Sequence, residues 1–128
     1  MLTLPRSVRV FVASTPIDMR RGHDGLLAVV QSTWGLDPYS GHIFAFLSRR
    51  LDRAKLLYWD RGGLVLVYKR LEQGHFKLPT IEPDAERVEI DGAQLSMLLD
   101  GIDFSRVSRP KAWMPPEPQQ PIDRRVQL

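Results

Sequence analysis

The residues of this chain that could do metal-dependent chemistry are four aspartates, but their sequence settings favour other roles. They are Asp18, Asp24, Asp52 and Asp60. Carboxylate oxygens are the ligands that Mg²⁺ prefers, so one interpretation of the four aspartates is a nuclease site. However, no two of them fall on adjacent predicted strands with a lysine at the spacing of such a site. Asp24 is typical of a helix N-cap, Asp52 of a turn or an arginine partner, and Asp60 of a hairpin. We therefore expect no metal site here.

The sequence also lacks the patterns of zinc, thiol and nucleophilic chemistry. It contains no cysteine, and its histidines, His23, His42 and His75, stand beside glycines without the paired spacing of a zinc site. No serine or threonine occupies a nucleophile elbow, and the glycines form no phosphate-binding loop of known spacing. We expect no catalytic residue, no metal and no cofactor, and so a protein that is not an enzyme.

The arginines and lysines of residues 42–77 are more informative. This stretch contains three strand-like apolar runs, 42–48, 55–60 and 64–70, and paired glycines between the last two indicate a tight hairpin. If the runs form an antiparallel meander, the first ends, the second begins and the third ends at one end of the sheet. A positive cluster at that end is expected of a protein that binds a polyanion. Its members are Arg49, Arg50, Arg53, Lys55, Lys69 and Arg70.

The predicted main helix extends this positive cluster. Apolar residues recur at helical spacing after Asp24, until Gly35 supplies a left-handed stop. The turn at residues 37–41 is short, so a helix that ends near the start of the first run must begin near the positive end. Arg20 and Arg21 precede its first turn, where the helix dipole is also positive. The predicted DNA-binding residues are therefore Arg20, Arg21, Arg49, Arg50, Arg53, Lys55, Lys69 and Arg70.

The predicted fold class is α+β, with a small antiparallel meander sheet of three to four strands and the main helix packed on it. The fourth strand is residues 8–12, which are β-branched or aromatic apart from Arg9. Both sheet faces are apolar, so one face needs a further cover. The candidates are the N-terminal strand, a second subunit in a homodimer, or a second short helix between Asp91 and Gly101.

Charge and composition indicate how the chain is divided and where the protein is located. The net charge is only +3, but residues 47–77 hold eight Lys/Arg against three Asp/Glu, while residues 80–103 hold one against seven. We expect residues 1–104 to form a single α+β domain and residues 105–128, with five prolines, an extended Pro-rich tail. The sequence contains no apolar run of about 20 residues and no secretory signal pattern, which predicts a cytoplasmic protein with no membrane partner.

Several ordered blocks of residues resemble the accessory protein that the second reading frame of IS66-type insertion sequences encodes. The first block is Pro16, Asp18, Met19, Arg20, Arg21, Gly22, Asp24, Gly25 and Leu26, then residues 36–41, Phe44 and Phe46. The second is Arg49, Arg50, Asp52, Arg53, Lys55, Leu57, Tyr58, Trp59 and Asp60, then Gly63, Leu66, residues 68–72, Gly74 and Phe76. The third is residues 98–104. Leu51 and Ala54 depart from the family pattern. The resemblance covers roughly residues 8–104, and the tail after Arg109 lies outside it.

The resemblance implies a small protein that assists transposition beside a separate DDE-type transposase. It implies no catalytic residues. Our leading hypothesis is that the protein binds DNA without catalysis through the eight cations. The alternative is a protein–protein adaptor that recruits or assembles the transposase, or contacts the other accessory protein of the element, through the acidic segment, a spare apolar face or the tail. Metal-dependent cleavage through Asp52 and Asp60 is a third hypothesis.

Overall fold

A mixed five-stranded sheet with a helix on each face forms the described part of the chain. The structure is a computed structural model that describes residues 4–106 and 113–117. Its strands are β1 (Val10–Ala13), β2 (Ile43–Leu47), β3 (Arg53–Asp60), β4 (Gly63–Arg70) and β5 (Arg87–Ile90), in the order β4-β3-β2-β1-β5. Helix α1 (His23–Ala28) continues into a π-helical turn (Val29–Thr33), helix α2 is Gly92–Leu99, and a 3₁₀ turn covers Phe104–Arg106.

The α+β class is confirmed, and the sheet corrects the prediction in two respects. First, β1 runs parallel to β2, with Val10 opposite Ile43, whereas the other neighbouring strands are antiparallel. A parallel pair needs a long crossover connection, and residues 14–42 with α1 supply it. Second, β5 is a fifth strand that the sequence did not predict. It pairs with the outer edge of β1, with Arg87 opposite Ala13.

Each face of the sheet has its own hydrophobic core. On the α1 face, Leu26 and Trp34 pack among sheet residues that include Phe46, whose ring stacks on that of Trp34 at 5.4 Å between centroids. On the α2 face, Leu95 and Leu98 pack against alternate residues of the same strands. The second short helix therefore covers the second apolar face, which was one of the predicted alternatives. Alternation along the strands sends successive side chains into opposite cores.

The ends of the two helices are defined by different capping residues. Asp91 is the N-cap of α2 and forms a reciprocal capping box with Gln94. Gly101, at φ 74°, follows the helix in a left-handed conformation, as its position predicted. The predicted cap of α1 is wrong, because Gly22 is the N-cap and Asp24 lies in the first turn. There Asp24 still interacts favourably with the helix dipole.

The predicted tail, residues 105–128, lies mostly outside the described residues. Residues 105 and 106 belong to the final 3₁₀ turn. Residues 113–117 are exposed and have no regular secondary structure.

Candidate nucleic-acid interface

The strand directions bring most of the predicted cations to one end of the sheet. Because β3 is antiparallel to both neighbours, β2 ends where β3 begins, and Arg53 stands opposite Arg70 at the end of β4. Arg49 and Arg50 lie in the turn that connects β2 to β3, and Lys69 is one position before Arg70. We call this end of the sheet, together with the β2–β3 turn, the basic end.

The segment before α1 lies at the same end. The backbone N–H of Ile17 donates to the carbonyl of Leu47, the last residue of β2, at 3.0 Å. This bond places the following residues, including Arg20 and Arg21, beside the basic end. All eight predicted residues therefore lie on the elements that meet at the basic end. Their side chains differ in the contacts that they make.

Two of the eight, Lys55 and Lys69, form hydrogen bonds that attach neighbouring segments to the sheet. Lys55 is buried, and its Nζ donates to the backbone carbonyls of Met19 and Arg21 at 2.6 and 2.7 Å. Lys69 Nζ donates to the carbonyl of Leu99, at the end of α2, at 2.6 Å. A buried ammonium group needs such acceptors, because burying an unpaired charge is costly. These lysines attach the pre-helix segment and the end of α2 to the sheet.

Two further arginines form surface ion pairs. Arg20 donates to both carboxylate oxygens of Asp18, at 2.7 Å for the shortest contact, and Arg70 pairs with Glu72 at 2.9 Å. The hydrogen bonds from Arg20 lower the pKa of Asp18 to about 2, because they stabilise its charged form. Exposed pairs of this kind contribute little to stability, so both guanidinium groups can exchange a carboxylate for a phosphate at small cost.

The β2–β3 turn is fixed by its own hydrogen bonds. The hydroxyl of Ser48 accepts the N–H groups of Asp52 and Arg53 at 3.3 and 3.1 Å and donates to the carboxylate of Asp52 at 3.1 Å. Leu51 adopts a left-handed conformation at φ 58°, and its carbonyl accepts the N–H of the buried Phe76 at 2.6 Å. The turn therefore presents its remaining residues from a fixed backbone.

Those remaining residues are Arg49 and Arg50, which are both exposed. With Arg53 they surround a small cavity of about 260 Å³ whose lining also includes Met19 and Ser48. The guanidinium groups of Arg49 and Arg50 form no ion pair with any carboxylate in residues 4–106 or 113–117. Arg21 is exposed on the neighbouring segment. The turn therefore carries exposed guanidinium groups on a fixed backbone, and guanidinium groups are well suited to binding phosphates.

Sequence reasoning missed two residues at the basic end. Arg87 begins β5, and its guanidinium group lies over the rings of Phe11 and Trp34 at 5.9 and 5.8 Å. It was missed because β5 was not predicted. Tyr68, on β4, was not among the predicted residues, and 48% of its surface is exposed. Its exposure follows from the position of β4 at the edge of the sheet, which local sequence does not encode.

A second surface lies between α1 and the segment before β5. It is a cleft of about 770 Å³ with apolar walls that include Ile17, Trp34 and Ile81. Four carboxylates also line it, from Asp18, Glu82, Asp84 and Glu86, together with the cationic side chain of Arg21. Part of the acidic segment, residues 80–103, therefore lines this cleft. The cleft lies next to the basic end and carries the opposite charge.

The carboxylates and histidines do not assemble into a metal site in the described part of the chain. There, no three His, Cys, Asp or Glu side chains are placed to share an ion. Asp52 precedes β3 and Asp60 ends it, so about 25 Å separates these two aspartates along the strand. His42 accepts the backbone N–H of Arg9 at 3.0 Å through Nδ1. The arrangement gives no support to cleavage by Asp52 and Asp60.

These features define the class of protein: a small α+β domain with a fixed basic end, an acid-lined cleft and, in residues 4–106 and 113–117, no helix long and apolar enough to cross a membrane. The chain belongs to the IS66 Orf2-like protein family, whose model matches residues 8–109. The family resemblance inferred from the sequence is thereby confirmed. Membership implies an accessory role in the transposition of an insertion sequence.

Two curated relatives from Sinorhizobium fredii (strain NBRC 101917 / NGR234) are similar over most of their length. The chain is 40% identical over 109 residues to the uncharacterized protein y4jC, covering 85% of this chain and 92% of that protein. It is 37% identical over 115 residues to the uncharacterized protein y4hO, covering 90% and 96%. No solved structure matches the chain.

Proposed function

We propose that this protein assists transposition by binding DNA non-catalytically through the basic end. The observation that carries the proposal is the pair of exposed arginines on the β2–β3 turn, Arg49 and Arg50, with the half-buried Arg53 at the start of β3 beside them. Arg21 is exposed on the neighbouring pre-helix segment. Phosphate contacts position a protein on DNA without reading its sequence, and guanidinium groups suit them well. The site of action in this proposal is the cytoplasm.

The eight predicted residues divide into three groups in this proposal. Arg21, Arg49, Arg50 and Arg53 contact phosphates directly. Arg20 and Arg70 add contacts by exchanging their surface carboxylates for phosphates. Lys55 and Lys69 act indirectly, because their ammonium groups are engaged with backbone carbonyls. Lys55 positions the segment that carries Arg20 and Arg21, and Lys69 attaches the end of α2 to the sheet.

The salt dependence of binding tests the number of contacts. Each phosphate neutralised on duplex DNA contributes about 0.9 to the slope of log affinity against log salt. Four direct contacts predict a slope of about −3.6, and six predict about −5.4. Fluorescence anisotropy with a labelled duplex at several salt concentrations measures this slope. A slope near zero would overturn the proposal.

A matched pair of charge reversals tests the location. Arg50→Glu acts at the basic end, whereas Arg61→Glu makes the same change in the exposed β3–β4 hairpin at the opposite end. Removing one contact weakens binding about 8-fold at 0.1 M salt, and the added negative charge weakens it further. Arg61→Glu should change affinity by less than about threefold, by long-range charge alone. Equal losses in the two variants would contradict binding at the basic end.

The acid-lined cleft favours an adaptor as the second candidate function. Its apolar walls and four carboxylates suit a segment of a partner that carries apolar and basic side chains, such as a segment of the transposase. Co-purification of the transposase with the protein, with and without nuclease treatment, separates the candidates. Retention after DNA removal, lost in Glu82→Lys, supports the adaptor. Retention that depends on DNA supports the first proposal.

A further inference from the structure

Tyr68 is an exposed aromatic residue beside the cations of the basic end. It lies on β4 opposite Lys55 and two residues before Arg70. Tyr68 and Arg70 therefore share one face of the sheet. Nearly half of its surface, 48%, is open to solvent. Because β4 is the terminal strand of the sheet that the described residues form, the ring stands at an edge of the α1 face.

Two cations hold the ring in place. Lys55 Nζ lies 4.8 Å from the ring centroid, and Arg53 donates from Nη1 to the phenol oxygen at 3.3 Å. Lys55 is itself fixed by the carbonyls of Met19 and Arg21. The side of the ring against Lys55 is thus occupied, while the exposed part remains free. A ring held in this way has little side-chain freedom left to lose when a ligand binds.

The neighbourhood of the ring determines the ligand chemistry. An exposed aromatic face binds a nucleobase by stacking, and flanking arginines bind the phosphates on either side of that base. Tyr68 and Arg70 are about 7 Å apart along the strand, a separation that a single extended nucleotide unit can span. Inside a duplex, bases are stacked on each other and their faces are closed. Tyr68 can therefore stack on an unpaired base but not on a base inside a duplex.

We propose that Tyr68 stacks on an unpaired DNA base, so that the basic end prefers single-stranded DNA, or an unpaired segment at a DNA end, over duplex DNA. This inference rests on the proposed DNA-binding function and adds the kind of DNA bound. Arg53 and Arg70 hold the phosphates that flank the stacked base.

Anisotropy titrations with a single-stranded oligonucleotide of about 16 nucleotides and a duplex of the same sequence test the inference. Tyr68→Ala should weaken single-strand binding between about 5- and 150-fold, the range for loss of one stacked base, and leave duplex affinity within about twofold. Tyr68→Phe keeps the ring and should stay within about threefold of the original protein on the single strand, because only the phenol hydrogen bond is lost.

Tyr39→Ala is the matched control. Tyr39 is 47% exposed, but its ring packs edge-on against Trp59 at 5.2 Å, near the opposite end of β3. This variant should bind both DNAs as the original protein does. Circular dichroism of each variant checks that it is folded, and Tyr68→Leu, which keeps apolar bulk without a π face, should lose single-strand affinity as Tyr68→Ala does.

The outcomes separate this inference from the proposal beneath it. Duplex binding that depends on Arg50, with no effect of Tyr68→Ala on the single strand, overturns the stacking inference alone. An equal loss on both DNAs in Tyr68→Ala also overturns it. Failure of the original protein to bind either DNA overturns the proposed function as well.

Discussion

Replacing Lys55 by methionine separates the structural role of this residue from a direct role in DNA binding. The substitution keeps most of the volume but removes the ammonium group, so the carbonyls of Met19 and Arg21 lose their donor. Hydrogen bonds from a charged donor contribute about 1.5–3 kcal/mol each, which gives about 3–6 kcal/mol for the two. Relief of the desolvation of a buried ammonium group offsets part of this loss.

We therefore expect Lys55→Met to lower the free energy of unfolding by about 2–4 kcal/mol. At about 4 °C per kcal/mol for a domain of this size, Tm should fall by roughly 8–16 °C. Urea unfolding followed by circular dichroism measures the loss. Lys77→Met, at an exposed lysine, is the control and should stay within about 0.5 kcal/mol of the original protein.

The salt slope of DNA binding completes this experiment. Measured at a temperature where the variant is folded, Lys55→Met should keep the slope of the original protein, because Lys55 neutralises no phosphate. In contrast, Arg50→Gln should reduce the slope by about 0.9. A Lys55→Met protein of unchanged stability, with a slope reduced by that amount, would refute our assignment and make Lys55 a phosphate contact.

Three further predictions concern the fold and its ion pairs. Phe76→Ala should lower the free energy of unfolding by about 3–5 kcal/mol in urea titrations, because the ring is fully buried in the α2-side core. Gly101→Ala should cost about 1–2 kcal/mol in the same assay, because φ is 74° there, and a loss below about 0.3 kcal/mol would contradict this strain. Nuclear magnetic resonance titration should give Asp18 a pKa of about 2, and Arg20→Ala should raise that pKa toward its ordinary value. Since folding lowers this pKa, the stabilisation by the pair is complete above the ordinary pKa of Asp18 and disappears as the pH falls through about 2.

The sequence predicted those features whose signals are local. Helix α2 follows from Asp91 and Gly101, which stand at its two ends and act through neighbouring backbone groups. The basic end follows from the tight β3–β4 hairpin and the short β2–β3 turn, because such connections fix strand direction. The start of α1 was misplaced by two residues, since Gly22, which has no side chain to signal a cap, precedes the helix.

The features that depend on distant partners were not predictable in this way. Strand β5 has only four residues within an acidic stretch, and it is a strand because β1 offers an open edge more than 70 residues earlier. The parallel pairing of β1 and β2 depends likewise on how the crossover packs. The role of Lys55 depends on where residues 19–21 cross the sheet, and the sequence shows only a cation. The exposure of Tyr68 depends on β4 being an edge strand.

The placement of β1 also constrains how the protein is made. Of the five strands, β1 is translated first, and β5, which closes its outer edge, is translated last. The N–H of Ser14, just after β1, donates to the carbonyl of Glu86, just before β5, at 3.0 Å. A nascent chain that stops before β5 carries an apolar strand with unsatisfied backbone groups, which readily pairs with other chains. Frameshifts or premature stops before β5 should therefore produce chains that aggregate.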